Sequence, residues 1–347
     1  MAVVQHDVLQ KMCYEIFLGA GIPDEDADII SNHLVNSHLA GHDSHGTWLL
    51  PNYVRGMQRN YVKWDAREVE RDTPTLQIIN GNGANGIVSV TKSVDIAVEK
   101  AKQSTFGFVG LNHVTHIGRL GDFPPRIADQ GMIGTVWLNG GGLFMTPFGS
   151  AERKLRPEPF AFSAPRQNGP PFMLDMTMCT VAGGKIQQKL IREEPLPEGW
   201  VIDEEGKSVT DPNRYFNEPK STGVLPLGGL QFGHKGFGLA MMVEMLVGPL
   251  SHAGCTGSKG GGGGVMVLAI DIEAFTDLDS YKEEVEGLAE WVCSAKPLPG
   301  FDRIYAPGEI EVEKRQKMLV DGIDLPDPTW KELGEVAEGL GIQVPTL

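Results

Sequence analysis

Three histidines stand among glycines: His45 in residues 41–53 (G-H-D-S-H-G-T-W-L-L-P-N-Y), His116 in residues 113–121 (H-V-T-H-I-G-R-L-G) and His234 in residues 233–238 (G-H-K-G-F-G). Imidazole is the side chain best matched to proton transfer near neutral pH. The first stretch also sets Asp43 and Ser44 directly before His45. Acid, hydroxyl and imidazole crowded onto a helix-to-loop junction are costly for folding and useful for chemistry. One histidine in such a setting is commonly structural, whereas three together point to a proton-transfer centre. The clusters around His45 and His116 are expected to meet in space around a substrate and a nucleotide. At the third motif, His234 and Lys235 start a helix among glycines. Backbone N–H groups and the helix dipole favour an anion there, and Lys235 adds a full positive charge. Glycines serving close packing beside a merely exposed Lys235 are the other reading, and the residues leave both open.

Other chemistries fit less well. His42/His45 and His113/His116 are H-x-x-H pairs, but catalytic zinc needs three protein ligands and an open position. H-E-x-x-H is absent, and on strand-to-loop backbones this spacing does not put both rings on one face. Ser44 beside His45 is not a triad, and G-H-D-S-H-G has one residue too many before the serine for a nucleophile elbow. Residues 81–86 read G-N-G-A-N-G between a strand and a helix, the shape of a dinucleotide fingerprint. The acidic residue that should end the second strand is missing, because that strand runs into Asn112-His113. A turn using glycine for its geometry is the preferred reading.

The elements that position these groups follow from periodicity. Val8, Leu9, Met12, Cys13, Ile16 and Phe17 recur at helical spacing. Pro23-Asp24 starts a second helix with Ala27, Ile30, Leu34 and Val35 on its apolar face and Gly41 at its C-terminal cap. Asp43, Ser44 and His45 therefore emerge at a helix end, and Leu49, Leu50, Tyr53, Val54 and Met57 predict another helix directly after. Strands are predicted at 76–79, 106–111, 133–138, 160–164, 172–174 and 265–270, with a helix carrying Val90, Val94, Ala97, Val98 and Ala101 between the first two. Asp175 then falls directly after a strand, at the end where ligands commonly bind. Residues 192–219 are acidic, proline-bearing and aperiodic, and are read as a surface excursion. Leu239, Met242, Val243, Leu246 and Leu250 mark the most hydrophobic helix. The glycine run 260–264 reads as a flexible loop or a plain linker before a strand. Helices at 281–292 and 330–340 close the chain, with Pro307, Gly308 and Glu309 in a turn between them.

Composition sets bounds. At 347 residues, 41% hydrophobic and 22% charged, the chain can form two domains or one large one with an insertion. A net charge of −15 argues against a general nucleic-acid binder or a protein of anionic membranes. The apolar runs fall far short of a bilayer span, and the N-terminus lacks a signal-peptide pattern. Cys13, Cys179, Cys255 and Cys293 form no C-x-x-C, which reads as free thiols in a reducing cytoplasm, with Cys13 and Cys293 on apolar helix faces as core residues.

Several motifs in fixed order give a closer identification: A-G-H-D-S-H-G (40–46), H-I-G-R-L-G (116–121), L-D-M (174–176), A-G-G-K (182–185), L-P-E-G-W-V-I-D (196–203), P-L-G-G (226–229), H-K-G-F-G-L-A (234–240) and P-G-E (307–309). Over nearly its full length the chain resembles the malate/L-lactate dehydrogenase family, which is unrelated to the Rossmann-type lactate dehydrogenases. That family includes ureidoglycolate dehydrogenase, sulfolactate dehydrogenase and the cyclic-imine (piperideine-2-carboxylate) reductases, and the resemblance is nearest to hydroxycarboxylate dehydrogenase B-like members.

The resemblance implies metal-free interconversion of a 2-oxo acid and a 2-hydroxy acid with NAD or NADP. It implies an α/β class: a family-specific, non-Rossmann NAD(P)-binding fold with a mixed sheet and helical terminal parts, in a homodimer with its site between domains. The expected division is a helical part (1–75) packing with the C-terminal part, a nucleotide-binding and catalytic α/β domain (76–305) and a C-terminal helical part (306–347). By the same resemblance His116 shuttles the proton, Ser44 and His45 line nicotinamide and substrate, and Asp175 orients these groups or touches the cofactor. Further cofactor contacts fall to Ile117, Gly118, Met176, Thr177, Met178, Cys179, His234, Lys235, Pro307, Gly308 and Glu309, and further substrate contacts to Leu49 and Tyr53.

Three departures bear on substrate. Many relatives carry Arg where Leu49 stands, after Trp48; G-T-N-P is Arg156-Pro157-Glu158-Pro159 here; D-M-A-T-S is Asp175-Met176-Thr177-Met178-Cys179. A charged fork replaced by apolar surface implies a carboxylate held elsewhere or a bulkier apolar substrate. Cyclic-imine reduction and a nucleotide-binding relative without activity are the alternatives.

Overall fold

The computed structural model describes residues 2–59, 62–63, 66–259 and 261–346; Gly260, first of the glycine run, lies outside them. The chain opens with β1 (Ala2–Val4), α1 (His6–Gly19) and α2 (Asp24–Leu39). Leu9, Met12, Cys13, Ile16 and Phe17 of α1 are fully buried, each large side chain contributing about 1.5–3 kcal/mol. Asp24, Glu25 and Asp26 in the first turn of α2 suit the helix dipole. Two 3-10 turns, Asp43–His45 and Thr47–Leu49, lead into α3 (Leu50–Gln58).

The body of the molecule is built on β2 (Glu68–Asp72), β3 (Leu76–Asn80), α4 (Gly86–Ser104), β4 (Phe106–Asn112), α5 (Pro124–Ala128), β5 (Met132–Asn139), β6 (Phe160–Ala164) and β7 (Phe172–Met176). There follow α6 (Gly183–Ile191), β8 (Val201–Asp203), α7 (Pro212–Asn217), β9 (Thr222–Val224), α8 (Gly229–Phe232), α9 (His234–Val247), β10 (Gly264–Asp271) and α10 (Leu278–Cys293). The C-terminal elements are α11 (Glu309–Asp321), β11 (Ile323–Leu325) and α12 (Asp327–Gly339).

Seven strands form one mixed sheet in the order β2-β3-β4-β10-β5-β6-β7. Only the β3–β4 pair is parallel, joined by α4 as a crossover, and β10 lies antiparallel between β4 and β5. Alternation along these strands feeds two cores. Val109, Leu111, Val136, Val265 and Val267 pack under α4 and α5, whereas Phe108, Trp137 and Met266 face α9 and the β8–β9 pair. A third core joins the two termini: residues of α1, α2 and α3 pack with Ile323, Leu325, Leu333 and Ala337, and β1 pairs with β11.

Several expectations need correction. The sheet begins before residue 76, because β2 pairs with β3. Asp175 does not follow β7 but lies within it, opposite Ala161 of β6. Residues 192–219 are more than a surface excursion, since Leu196, Val201, Val209 and Tyr215 are buried in the core beneath α9. Leu250 lies beyond α9 and is exposed, and Cys293 is only partly buried. The P-G-E turn feeds a further helix, α11. Among the described residues no helix is long and apolar enough to cross a membrane.

Candidate active site

The 3-10 turn after α2 holds Ser44 and His45, the first turn of α3 presents Tyr53, and the loop after β4 carries His116 to the same place. The His45 and His116 rings lie nearly parallel, 5.9 Å between centroids and 9° between planes. The Tyr53 hydroxyl is 2.6 Å from His116 Nδ1, and Ser44 Oγ is 3.1 Å from His45 Nδ1. The two sequence clusters thus meet. The H-x-x-H pairs diverge instead: His42 faces Glu311 at 3.5 Å, and His113 faces Asn80 at 3.2 Å. Among the described residues no group of three or more His, Cys, Asp or Glu is arranged to hold a metal ion.

His45 is half-buried, whereas His116 lies deep in the fold but opens to solvent. Burial, then the neighbouring His116, His42 and His33, pushes His45 down to about 3, and burial, then His33, pushes His116 down to about 4. His116 sits low in the protein yet keeps one edge open to solvent. The open edge tempers the depression, and both rings are neutral at pH 7. Burial pushes the Tyr53 phenol up, so it stays protonated. Its hydroxyl accepts from Nδ1–H both in the neutral tautomer that leaves Nε2 bare and in the charged ring.

On the other side of the cleft, Asp175 accepts a hydrogen bond from the Gly121 amide at 2.8 Å. A Cβ on Gly121 would strike the Asp175 carboxylate and the Arg119 guanidinium, so glycine lets the loop after His116 close onto β7. The Met173 amide donates to the Pro307 carbonyl at 3.2 Å, seating the P-G-E turn on the same strand. A cavity of about 390 Å³ opens beside Gly121, Met173 and Gly308; its three arginines, Arg119, Arg126 and Arg315, are balanced by three acids, Asp122, Asp129 and Glu311, and Asp122 pairs with Arg119 and Arg126.

Other expected contact residues are placed differently. Ile117, Met178 and Cys179 have core side chains, and burial pushes the Cys179 thiol up to about 12. They can offer a ligand only their backbone. Thr177 Oγ1 donates to the Pro157 carbonyl at 2.8 Å. Leu49 packs against the helical core. Glu309 faces Arg166 at 3.4 Å and Arg303 at 3.6 Å. His234 and Lys235 are exposed, but α8 precedes them. The Gly236 amide donates to the Leu227 carbonyl in the loop before α8. The glycines of residues 81–86 serve packing: the α4 N-terminus is capped by Asn85, and a Cβ on Gly86 would overlap the Thr115 carbonyl.

The R-P-E-P departure forms a unit. Arg156 donates to the Gly141 and Gly261 carbonyls and to Thr256 Oγ1, binding two loops together. Glu158 is fully buried beside Glu244, and its carboxyl has no donor. Burial and Glu244 push it up to about 10, so Glu158 is a neutral acid. Glu244 remains ionised although burial opposes this, because Thr256 and Asn139 donate to it.

Sequence reading passed over His33 and His38, both buried on α2. Their signal is polar residues on the side of the helix that also carries its apolar stripe.

A family model described as malate/L-lactate dehydrogenase matches residues 4–334. The chain is 34% identical to a malate dehydrogenase of Pyrococcus horikoshii, covering 98% of this chain and 96% of that one. It is 29% identical to hydroxycarboxylate dehydrogenase B of Escherichia coli, covering 98% and 94%. The crystal structure of malate dehydrogenase from Entamoeba histolytica superposes with a TM-score of 0.94 at 27% identity, covering 99% of each chain. The chain belongs to the malate/L-lactate dehydrogenase family.

Proposed function

We propose that this protein interconverts a 2-oxo acid and a 2-hydroxy acid with NADH or NADPH, His116 carrying the proton. Family membership supports an oxidoreductase acting on hydroxy acids. The observation that carries the finer reading is His116 itself, an imidazole with an open edge, backed at Nδ1 by Tyr53 and flanked by the His45 ring. The nicotinamide supplies or accepts the hydride when bound. The chain orients and protonates. In oxidation, neutral His116 takes the hydroxyl proton at Nε2 while its Nδ1–H donates to the Tyr53 oxygen. In reduction, the charged ring gives that proton to the developing alkoxide. A carboxylate beside His116 stabilises the charged ring and raises its pKa from the low value of the free site. Ser44 and His45 line the reacting groups, and Asp175 holds the loop after His116 against β7.

The test is oxidation of NADH and of NADPH, followed at 340 nm, with pyruvate, oxaloacetate, 2-oxoglutarate, aryl-pyruvates and cyclic imines. Turnover with 2-oxo acids supports the reading. Turnover with cyclic imines alone moves the substrate class, and nucleotide binding without turnover moves the protein to the inactive relatives.

The family's homodimer is part of the same proposal. Leu239, Met242 and Met245 of α9 and Leu288, Trp291 and Val292 of α10 are exposed, Trp291 by 78%. Apolar surface of this kind suits a partner copy. Sedimentation at the mass of a monomer would count against it.

A further inference from the structure

His33 and His38 sit on α2 beneath the two catalytic loops, and their contacts repeat one pattern. His38 Nδ1 lies 3.0 Å from Asp43 Oδ1, and its Nε2 accepts from the Thr47 amide at 2.9 Å. His33 Nδ1 lies 3.0 Å from Asp122 Oδ2, and its Nε2 accepts from the Arg119 amide at 2.9 Å. Each ring lies under a glycine of the loop it supports. A Cβ on Gly46 would overlap the His38 ring, and a Cβ on Gly118 would overlap the His33 ring. Gly46 follows His45, and Gly118 is two residues beyond His116.

A backbone N–H can only donate, so Nε2 of each ring must be unprotonated and Nδ1 must carry the hydrogen. The carboxylate at Nδ1 selects that tautomer. Asp43 is held below its ordinary value although burial pushes it up, with the His38 hydrogen bond the leading opposing cause. Asp122 is likewise held well down against burial, facing His33, Arg119 and Arg126.

We infer that His33 and His38 are paired positioning residues: two Asp-locked Nδ1–H imidazoles on one helix clamp the His116 loop and the Ser44–His45 turn, and so set the two catalytic rings in register. Their effect on turnover rests on the dehydrogenase reading above, but their tautomers do not.

The first experiment is NMR of the full chain with 15N-labelled histidine at pH 7, the two rings assigned by their loss in His33→Gln and His38→Gln. Both should show protonated Nδ1 and bare Nε2; an Nε2–H ring at either position overturns the clamp there. This measurement needs no substrate, so its failure is read separately from a failure of the dehydrogenase reading. Kinetics then test the function of the clamp. Gln places an acceptor near the Nε2 position and Asn near the Nδ1 position. His38→Gln should therefore keep most of kcat, and His38→Asn should lose roughly 10–100-fold, as other orienting partners do, with KM for the nucleotide little changed. Asp43→Asn, whose amide can donate to Nδ1 and force the proton onto Nε2, should behave like His38→Asn. Equal activity of the Gln and Asn variants would reduce His38 to a filler of space.

Discussion

The two walls of the cleft are built by different means. On the wall we propose for proton transfer, side chains are aimed by side chains: Tyr53 meets His116, Ser44 meets His45, and the His33 and His38 rings accept from the Arg119 and Thr47 amides. On the wall proposed for the nucleotide, Ile117, Met178 and Cys179 turn their side chains into cores, and the Met178 amide and carbonyl are taken by Pro157 and Leu227. Proton transfer depends on ring orientation within a few tenths of an ångström, so its supports must be particular residues. A backbone contact survives any side chain that still packs.

The sharpest way to break this contrast is His116→Ala, for which kcat should fall about 10²–10⁴-fold. Nucleotide affinity, followed by NADH fluorescence, should stay nearly constant. Turnover that survived would move the proton carrier elsewhere. Next in size is Tyr53→Phe. Without the phenol oxygen to accept from Nδ1–H, the charged ring loses its partner, and reduction should slow by about an order of magnitude. The pH profile should shift in a stated direction: with the His116 pKa already low, reduction falls as pH rises, oxidation rises, and Tyr53→Phe moves both limbs to lower pH. A profile that did not move would separate Tyr53 from the ring it touches.

A smaller effect belongs to stability. Glu158 has a folded pKa raised to about 10, so folding takes up a proton between its ordinary carboxyl value and that figure. Its favourable contribution is complete below the ordinary value and is lost as pH rises toward about 10. The thermal midpoint should therefore drop between pH 6 and 9, and Glu158→Gln should flatten that slope and raise the midpoint at pH 9. An unchanged slope in the variant would mean that Glu158 is ionised in the fold. The smallest change belongs to the nucleotide wall. Ile117→Val should cost about 0.5–1.5 kcal/mol of stability and leave KM for the nucleotide within about twofold, since Ile117 packs inward. A large rise in KM would show that its side chain reaches the ligand.

Much of the framework was legible because local physics decided it. The stripe Leu9, Met12, Cys13, Ile16 and Phe17 can be satisfied only by a buried helix face, and it is one. The strands at 106–112, 132–139 and 264–271 are apolar runs with few alternatives. Elements whose stability is borrowed were less visible. β7 continues through Asp175 and Met176 because β6 offers backbone partners, which composition does not reveal. The alternating acids and apolar residues at the start of α11 give no helical stripe, and the helix packs only part of its length, through Met318 and Leu319, on the terminal core. Leu196, Val201, Val209 and Tyr215 are too widely spaced to show a period, yet all find the core under α9.

The chain's own order determined which groups are available for chemistry: imidazoles at 45 and 116, hydroxyls at 44 and 53, a carboxylate at 175, and glycines wherever a loop must pass close to a ring. Tertiary structure decided which of them act together. His33 and His38 read as ordinary helix residues until the fold lays the Arg119 and Thr47 amides against their Nε2 atoms. His234 and Lys235 are next to each other in the chain, but only the fold places α8 before them and the Gly236 amide against the Leu227 carbonyl. Hydrogen-bond direction and desolvation depend on neighbours distant in sequence, and only the packed chain supplies those neighbours.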